Sequence, residues 1–320
     1  MNDPHAVDDV ALRAAWMYHD QGYTQAEIAS RLGVSRSTIS RALQRAEREG
    51  IVEIRLTVAL TELAKLEAEL LAAYPLLHEV AIAPLRDGES RRNATARTTA
   101  RLIESVFAAS TPSVAIGWGR TLAAAAALVR PRNVGSSQVI DAVGHAHSIR
   151  GAAATDVSTT LGAAFAVGAV HVPAPALVRD RETARRLRSE EQVRHALDAA
   201  RRAEVTIVSI GAVTPDTALV APDLLATEEL ETLAAAGAVG DILGRFFDSD
   251  GVPVTQHGIY WIGLDIEDLR SSHRVVAVAG GTGKVTAIRA AIASGILDAI
   301  VTDEATGREL LAHGDTGNAC

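Results

Sequence analysis

The sequence predicts a short all-α segment followed by a larger α/β unit built on a mostly parallel sheet. Three observations carry the prediction. Apolar residues recur at helical spacing through roughly residues 6–56, with capping and turn residues between the repeats. From about residue 78 short apolar runs alternate with helical stretches, the rhythm of buried parallel strands joined by crossover helices. The 320 residues, 48% of them apolar, exceed one average domain and can bury a substantial core.

In chain order, Ala11, Leu12, Ala15 and Trp16 repeat at helical spacing until Gln21 and Gly22 end the first helix. Thr24 is a good N-cap, and Glu27 three residues later completes a capping box. A short helix runs to Leu32 and stops at Gly33. Ser35 caps a third helix that reaches Arg48 and ends at Gly50. Residues 51–57 (IVEIRLT) alternate apolar and charged residues, as a short strand or wing does. Residues 61–73 place Leu63, Leu66, Leu70 and Ala73 on one helical face, closed by Pro75, and read as a connector and a candidate dimer contact. Beyond it, VAIAP, SVAIG, SQVIDAV, VTIVSIG, RVVAVAGG and DAIVTD are the expected strands. Helices are expected over 90–109, 121–130, 154–168, 190–202, 227–236, 284–294 and 304–313. The division is therefore 1–57, 58–76 and 77–320.

Residues 24–43 (TQAEIASRLGVSRSTISRAL) carry the strongest signal. Two short helices that touch need small residues at the contact and a tight turn between them. Ala29 is small, and Gly33 can take the positive φ of the turn. Ile28, Leu32, Val34, Ile39 and Leu43 supply a shared core. Exposed on the third helix are Ser35, Arg36, Ser37, Thr38, Ser40, Arg41, Gln44, Arg45 and Arg48. Residues 35–48 hold four arginines against one acid, Glu47, so a basic patch exists although the whole chain carries a formal charge of −8. That overall charge excludes a surface that coats nucleic acid as a whole. Arginine pairs bidentately with guanine, and serine or threonine bonds bases or phosphates. The DNA-contact candidates are Thr24, Gln25, Ser35, Arg36, Ser37, Thr38, Ser40, Arg41 and Arg45, with double-stranded operator DNA as partner.

The stretch TQAEIASRLGVSRSTISRALQRAEREGIVEI resembles the DNA-binding segment of the SorC/DeoR-type sugar-binding transcriptional regulators. GWGRTL (117–122), GDILGRFFD (240–248) and AGGTGKVTAIRAAIASGILDAIVTDEATGREL (279–310) are similar to that family's effector domain, in the right order over nearly the whole chain. The resemblance implies a fold related to sugar-phosphate isomerases and deaminases. It also implies oligomeric assembly, as a dimer or tetramer, and a phosphorylated sugar or polyol as effector.

Two glycine-rich loops follow expected strands. In the first, Gly117 and Gly119 flank Trp118, and Arg120 and Thr121 open an alanine-rich helix; converging backbone N–H groups there suit an anion. In the second, Gly281, Thr282, Gly283 and Lys284 follow 275–279. The spacing is not a P-loop, because Val278 sits at the first-glycine position and Val285 follows the lysine, and not a dinucleotide fingerprint, because Thr286 holds the last-glycine position. Lys284, one of two lysines in the chain, could meet phosphate or be a solvated surface group. Arg245 beside Phe246 has either an internal partner, such as Asp248 or Asp241, or an effector role. Gly144 and His145, with His147 nearby, form a loop that could contact sugar; their spacing is too loose for a metal site. Asp303 and Glu304 could bond sugar hydroxyls or cap a helix. Trp118 and Trp261 could line a pocket or fill core. The effector candidates are Gly117, Gly119, Arg120, Thr121, Gly144, His145, Arg245, Gly281, Thr282, Gly283 and Lys284.

An isomerase or deaminase would need a positioned base. Asp141, His145, Asp303 and Glu304 are available, but no motif fixes any of them against a substrate. No enzyme activity, cofactor or metal is therefore expected. Lys284 suits phosphate contact better than Schiff-base formation, so the effector is expected to bind non-covalently. The single cysteine, Cys320, allows no disulfide within one chain. The acidic start lacks a signal-peptide core, and no apolar run is long enough for a bilayer, so a cytoplasmic protein with no membrane partner is expected.

Overall fold

The structure, a computed structural model, describes residues 4–19, 21–48, 58–109, 111–146, 154–215, 217–220, 224–255 and 257–314. The strand or wing expected at 51–57, as well as Gly50, His147 and Cys320, lies outside them. The chain divides into two compact units, Met1–Val58 and Ala59–Cys320.

The smaller unit has three helices: α1 (Pro4–His19), α2 (Gln25–Leu32) and α3 (Arg36–Arg48). Ala14, Ala15, Met17, Ile28, Ala29, Ile39, Leu43 and Ala46 form its buried core, with Leu32 and Val34 packed at the edge. The expected face of α1 is half right. Ala11 and Ala15 are buried, but Leu12 and Trp16 are each 56% exposed, and Ala14 and Met17 take their places. Each residue turns the helix by about 100°, and the tight contact with α3 is made by alanines, which let the axes approach.

In the larger unit α4 (Val58–Ala73) precedes β1 (Glu79–Ala83), α5 (Arg91–Ala108), β2 (Ser113–Ile116), α6 (Arg120–Ala126), β3 (Gln138–Asp141), α7 (Ala154–Phe165), β4 (Gly168–Val170) and β5 (Leu177–Val178). Next come α8 (Arg181–Ser189), α9 (Glu191–Arg201), β6 (Val205–Ala212), α10 (Thr227–Ala235), β7 (Gly240–Ile242), β8 (Arg245–Phe247), β9 (Pro253–Val254) and β10 (Tyr260–Trp261). The chain continues with α11 (Ile266–Arg270), β11 (Val275–Val278), a 3-10 turn at Thr282–Lys284, α12 (Val285–Ala293), β12 (Ala299–Asp303) and α13 (Glu304–Gly314).

Seven strands form a parallel sheet in the order β1-β12-β11-β6-β2-β3-β4. Alternate residues face opposite layers. Val114, Ile116, Val276 and Val278 join α5, α6 and α7 in one core, while Ala115, Val275 and Ala277 join α4, α10, α12 and α13 in the other. Phe107 of α5 stacks on Phe165 of α7 at 4.4 Å. The mostly parallel α/β class is thus observed, and the six expected strands appear as β1, β2, β3, β6, β11 and β12.

Three features differ from the sequence reading. The α7 helix stops at Phe165 because Ala166 takes a positive φ of 54°, which frees 168–170 to pair with β3. Strands of two or three residues, such as β5 and β7–β10, are too short to show a period. Helix α4 buries Leu63, Leu66 and Leu70 in the larger unit's core, while Ala73 is exposed, so its apolar face is occupied within the chain. Leu70 is 1% exposed, and Leu70→Ala is expected to destabilise the larger unit by about 2–5 kcal/mol in denaturant unfolding. A change under about 0.5 kcal/mol, typical of a surface site, would show that α4 is a free connector.

Candidate functional site

The α2–turn–α3 segment is held by short-range bonds that the sequence encodes. Thr24 Oγ1 accepts the Glu27 N–H, and the Glu27 carboxylate accepts the Thr24 N–H at 2.8 Å. Gly33 sits at φ 66°, ψ 30° and donates its N–H to Ala29 O, closing α2 with a left-handed residue that a side chain would strain. Ser35 Oγ accepts the Thr38 N–H at 3.1 Å, capping α3, and lies 2.8 Å from both the Ser37 and Thr38 hydroxyls. Arg36, Ser37, Arg41 and Gln44 are exposed along α3, with Arg41 Nε donating to Ser37 O. Thr24 is exposed at the N-cap of α2, whereas Gln25, Thr38, Ser40 and Arg45 are half-buried.

In the larger unit, the carboxyl ends of β2, β6 and β11 open into a cavity of about 390 Å³. Open α/β sheets bind ligands at this edge. The two glycine-rich loops meet here. Gly119, Arg120 and Thr121 line it from β2, and Gly281, Gly283 and Lys284 line it from β11. Four cations converge: Arg91 and Arg92 from the start of α5, Arg120, and Lys284. Thr95, Thr121, Ser209 and Thr217 add hydroxyls. Ser209 Oγ is buried with no hydrogen-bond partner. Lys284 is half-buried, not a solvated surface lysine, and its Nζ donates to Ile210 O at 2.7 Å. Asp303 acts as a brace: its Oδ2 accepts the Gly281 N–H and the Thr306 hydroxyl, each at 2.7 Å, and its Oδ1 accepts the Thr306 N–H.

Some expected residues are not brought to this cavity. Gly117 packs beneath it, where an added Cβ would meet Leu243 at 2.7 Å, and Thr282 is outside its lining. Gly144 and His145 pair with a neighbouring segment instead: Gly144 N–H donates to Ile262 O, and His145 N–H donates to Ala174 O. Arg245 reaches neither Asp248 nor Asp241; it donates to the carbonyls of Trp261, Gly263 and Leu264. The sequence reading missed Arg91 and Arg92, whose only local signal was the Ser90 cap of α5. It also missed Asp241 as a lining residue. Trp118 and Trp261 are both buried and both line cavities.

Of the potential bases, Asp303 braces the Gly281 loop and Asp141 is paired away from the cavity. Asp141 Oδ2 and Ser158 Oγ both approach His171 Nδ1, at 3.0 and 3.4 Å. A nucleophile relay needs the hydroxyl and the carboxylate on opposite ring nitrogens. Among the described residues no group of three or more His, Cys, Asp or Glu could hold a metal ion, and no helix is long and apolar enough to cross a membrane.

Residues 58–312 match the family model described as "Putative sugar-binding domain", and residues 13–69 match a Crp-like helix-turn-helix domain. The chain belongs to the SorC/DeoR-type sugar-binding transcriptional regulators. Among similar proteins, the transcriptional regulator LsrR of Escherichia coli is 34% identical over 310 residues, covering 95% of each chain. The erythritol catabolism regulatory protein EryD of Brucella abortus is 32% identical over 313 residues, covering 96% of this chain and 98% of that one. The full-length sorbitol operon regulator SorC of Klebsiella pneumoniae superposes with a TM-score of 0.70 at 24% identity, over 95% of this chain and 99% of that one. As a sugar-binding regulator of this family, the chain is a DNA-binding, sugar-sensing protein and not an enzyme.

One carboxylate in this regulator's cavity is electrostatically exposed to pH. Burial pushes Asp241 up to about 6, against the opposing pull of the Gly244 N–H and of Lys284. In the unfolded chain an aspartate titrates near about 3.9. Between about pH 4 and 6 the folded state therefore holds a proton that the unfolded state has lost, so stability falls as pH rises through that window. Asp241→Asn is expected to abolish this segment. Its unfolding free energy relative to the parent should climb by about 3 kcal/mol from pH 4 to pH 7, a shift of two pKa units. Parallel stability–pH curves for the two proteins would refute the assignment.

Proposed function

We propose that the chain regulates carbohydrate metabolism in the cytoplasm as a homo-oligomer, a dimer or tetramer, whose operator affinity is set by a phosphorylated sugar or polyol bound non-covalently in the strand-end cavity. The observation that carries this reading is the convergence of Arg91, Arg92, Arg120 and Lys284 around one cavity with hydroxyl-bearing walls. Phosphate is the group such a set favours: guanidinium forks grip its oxygens bidentately and the ammonium adds a point charge. The hydroxyls of Thr95, Thr121 and Ser209 suit a polyhydroxylated body. Residues 1–57 read DNA in this scheme, and residues 77–320 hold the effector and the oligomer contacts. Gly117, Gly144, His145, Arg245 and Thr282 lie outside the proposed contact set.

On the DNA side, the exposed row of Arg36, Ser37 and Arg41 faces the major groove, and the α3 cap set by Ser35 presents its first turn to phosphate. Thr24, Gln25, Thr38, Ser40 and Arg45 hold the reading helix in register on the backbone. Effector binding couples to DNA binding through its different affinity for two arrangements of the oligomer, an effect of typically ~1–3 kcal/mol.

Arg36→Ala or Arg41→Ala should weaken operator binding by about 1–3 kcal/mol per bidentate guanine contact, measured by titration at fixed salt. Thr121→Ala and Lys284→Ala should leave operator affinity unchanged and blunt its response to effector. The deciding experiment is operator binding across a panel of phosphorylated sugars and polyols with their unphosphorylated counterparts. A shift by one phosphorylated compound but not its free form supports the reading. A shift by free sugars alone removes the phosphate assignment, and normal responses from both variants would move the effector elsewhere.

A further inference from the structure

The β7–β8 hairpin that carries Asp241 into the first cavity also walls a second one, of about 570 Å³. Gly244, Arg245 and Phe246 come from the hairpin, Tyr260 and Trp261 from β10, Arg188 from α8 and Ile266 from α11. Its chemistry differs from that of the first cavity. The walls of Phe246, Val254, Ile259, Tyr260 and Ile266 are apolar and aromatic, and hydroxyls are few.

Two guanidinium groups stand side by side in this cavity. Arg188 Nη2 donates to Trp261 O and Gly263 O, each at 2.9 Å, and Arg245 Nη2 donates to the same two carbonyls, each at 3.2 Å. Burial and the neighbouring Arg188 charge pull Arg245 down to about 10, and burial also lowers Arg188. Among the described residues neither guanidinium forms a salt bridge. The nearby acids have other partners: Asp265 caps α11 by accepting the Asp268 N–H at 2.9 Å, and Asp268 pairs with Arg201 at 2.8 Å. Asp265, which also lines the cavity, and Asp268 favour both charges through space without a direct ion pair, and two desolvated cations whose direct partners are carbonyls gain further from an anion that joins them. A second observation points the same way. Trp261 lines the cavity at 4% exposure, and its indole N–H has no hydrogen-bond partner.

We infer that this cavity is a second binding site, distinct from the strand-end cavity, for a small organic carboxylate with a flat apolar body. The guanidinium pair takes the carboxylate through charge-assisted hydrogen bonds, and Tyr260, Phe246 and Ile266 take the apolar part. Trp261 meets Trp118 edge to face at 5.5 Å, and Trp118 lines the first cavity. The two sites therefore share a wall, and a ligand in one is read by an indole that borders the other.

The test uses the purified full chain, intrinsic tryptophan fluorescence and calorimetry, with benzoate and phenylacetate as probes and benzamide as the uncharged isostere. Saturable binding of at least one carboxylate, at least tenfold tighter than benzamide, is expected. Arg188→Met should weaken it at least tenfold without changing benzamide binding, and Lys284→Ala should leave it within twofold. If Arg188→Met does not fold, Arg188→Lys keeps the charge and should still lose several-fold affinity, because the planar fork is gone. Equal binding of benzamide, no saturable signal from either carboxylate, or sensitivity to Lys284→Ala alone would overturn the inference. So would sedimentation showing that Arg188→Met dissociates an oligomer while carboxylate binding is absent, since a second copy would then fill the cavity.

Discussion

Strand β6 is longer than the parallel neighbours it pairs with, and the cavity-bearing edge of the larger unit depends on that extra length. Its first residues pair in parallel with β2 and β11, while Ile210, Gly211 and Ala212 run past them and pair antiparallel with β7. The overrun carries a hairpin to the carboxyl edge of the sheet, where loops alone would otherwise stand. Gly211 makes the approach possible: a Cβ there would lie 1.9 Å from Asp241 Oδ1. The hairpin then presents Asp241 to one cavity and Arg245 to the other. A backbone ladder positions both side chains more rigidly than a loop could.

The two cavities solve opposite electrostatic problems. In the first, four cations border Asp241, a carboxylate that burial pushes up to about 6, and one of them, Arg91, also lies 4.0 Å from Asp303. In the second, the cations are tied to carbonyls against apolar walls, so an anion there gains from low dielectric and from relief of like-charge repulsion.

The smaller unit shows a comparable division of labour. The hydroxyls of Ser35, Ser37 and Thr38 bond one another and the end of α3, so they hold the helix start in shape. Capping of this kind is typically worth about 1 kcal/mol. The long side chains of Arg36 and Arg41 are exposed, with Arg41 Nε bonded back to Ser37 O.

Local chemistry made much of this protein legible from its residues alone. The Thr24–Glu27 box, the Gly33 turn, the Ser35 cap and the six apolar strands of four to eight residues are written in neighbouring residues, because caps, turns and periods act over a few positions. The two glycine loops announced themselves for the same reason. Tertiary structure decided what distance in sequence concealed. Arg91 and Arg92 reach the cavity only because β1 lies beside β12 at the same sheet edge. Arg245 was misplaced because its carbonyl partners come from 261–264, a segment whose location depends on the β5–β10 pair. Gly144 and His145 were drawn away by Ala174 and Ile262. Spacing along the chain fixes which residues can bond across one turn of helix, but only the stacking order of parallel strands determines which loops share an edge, and that order is set by packing among residues hundreds of positions apart.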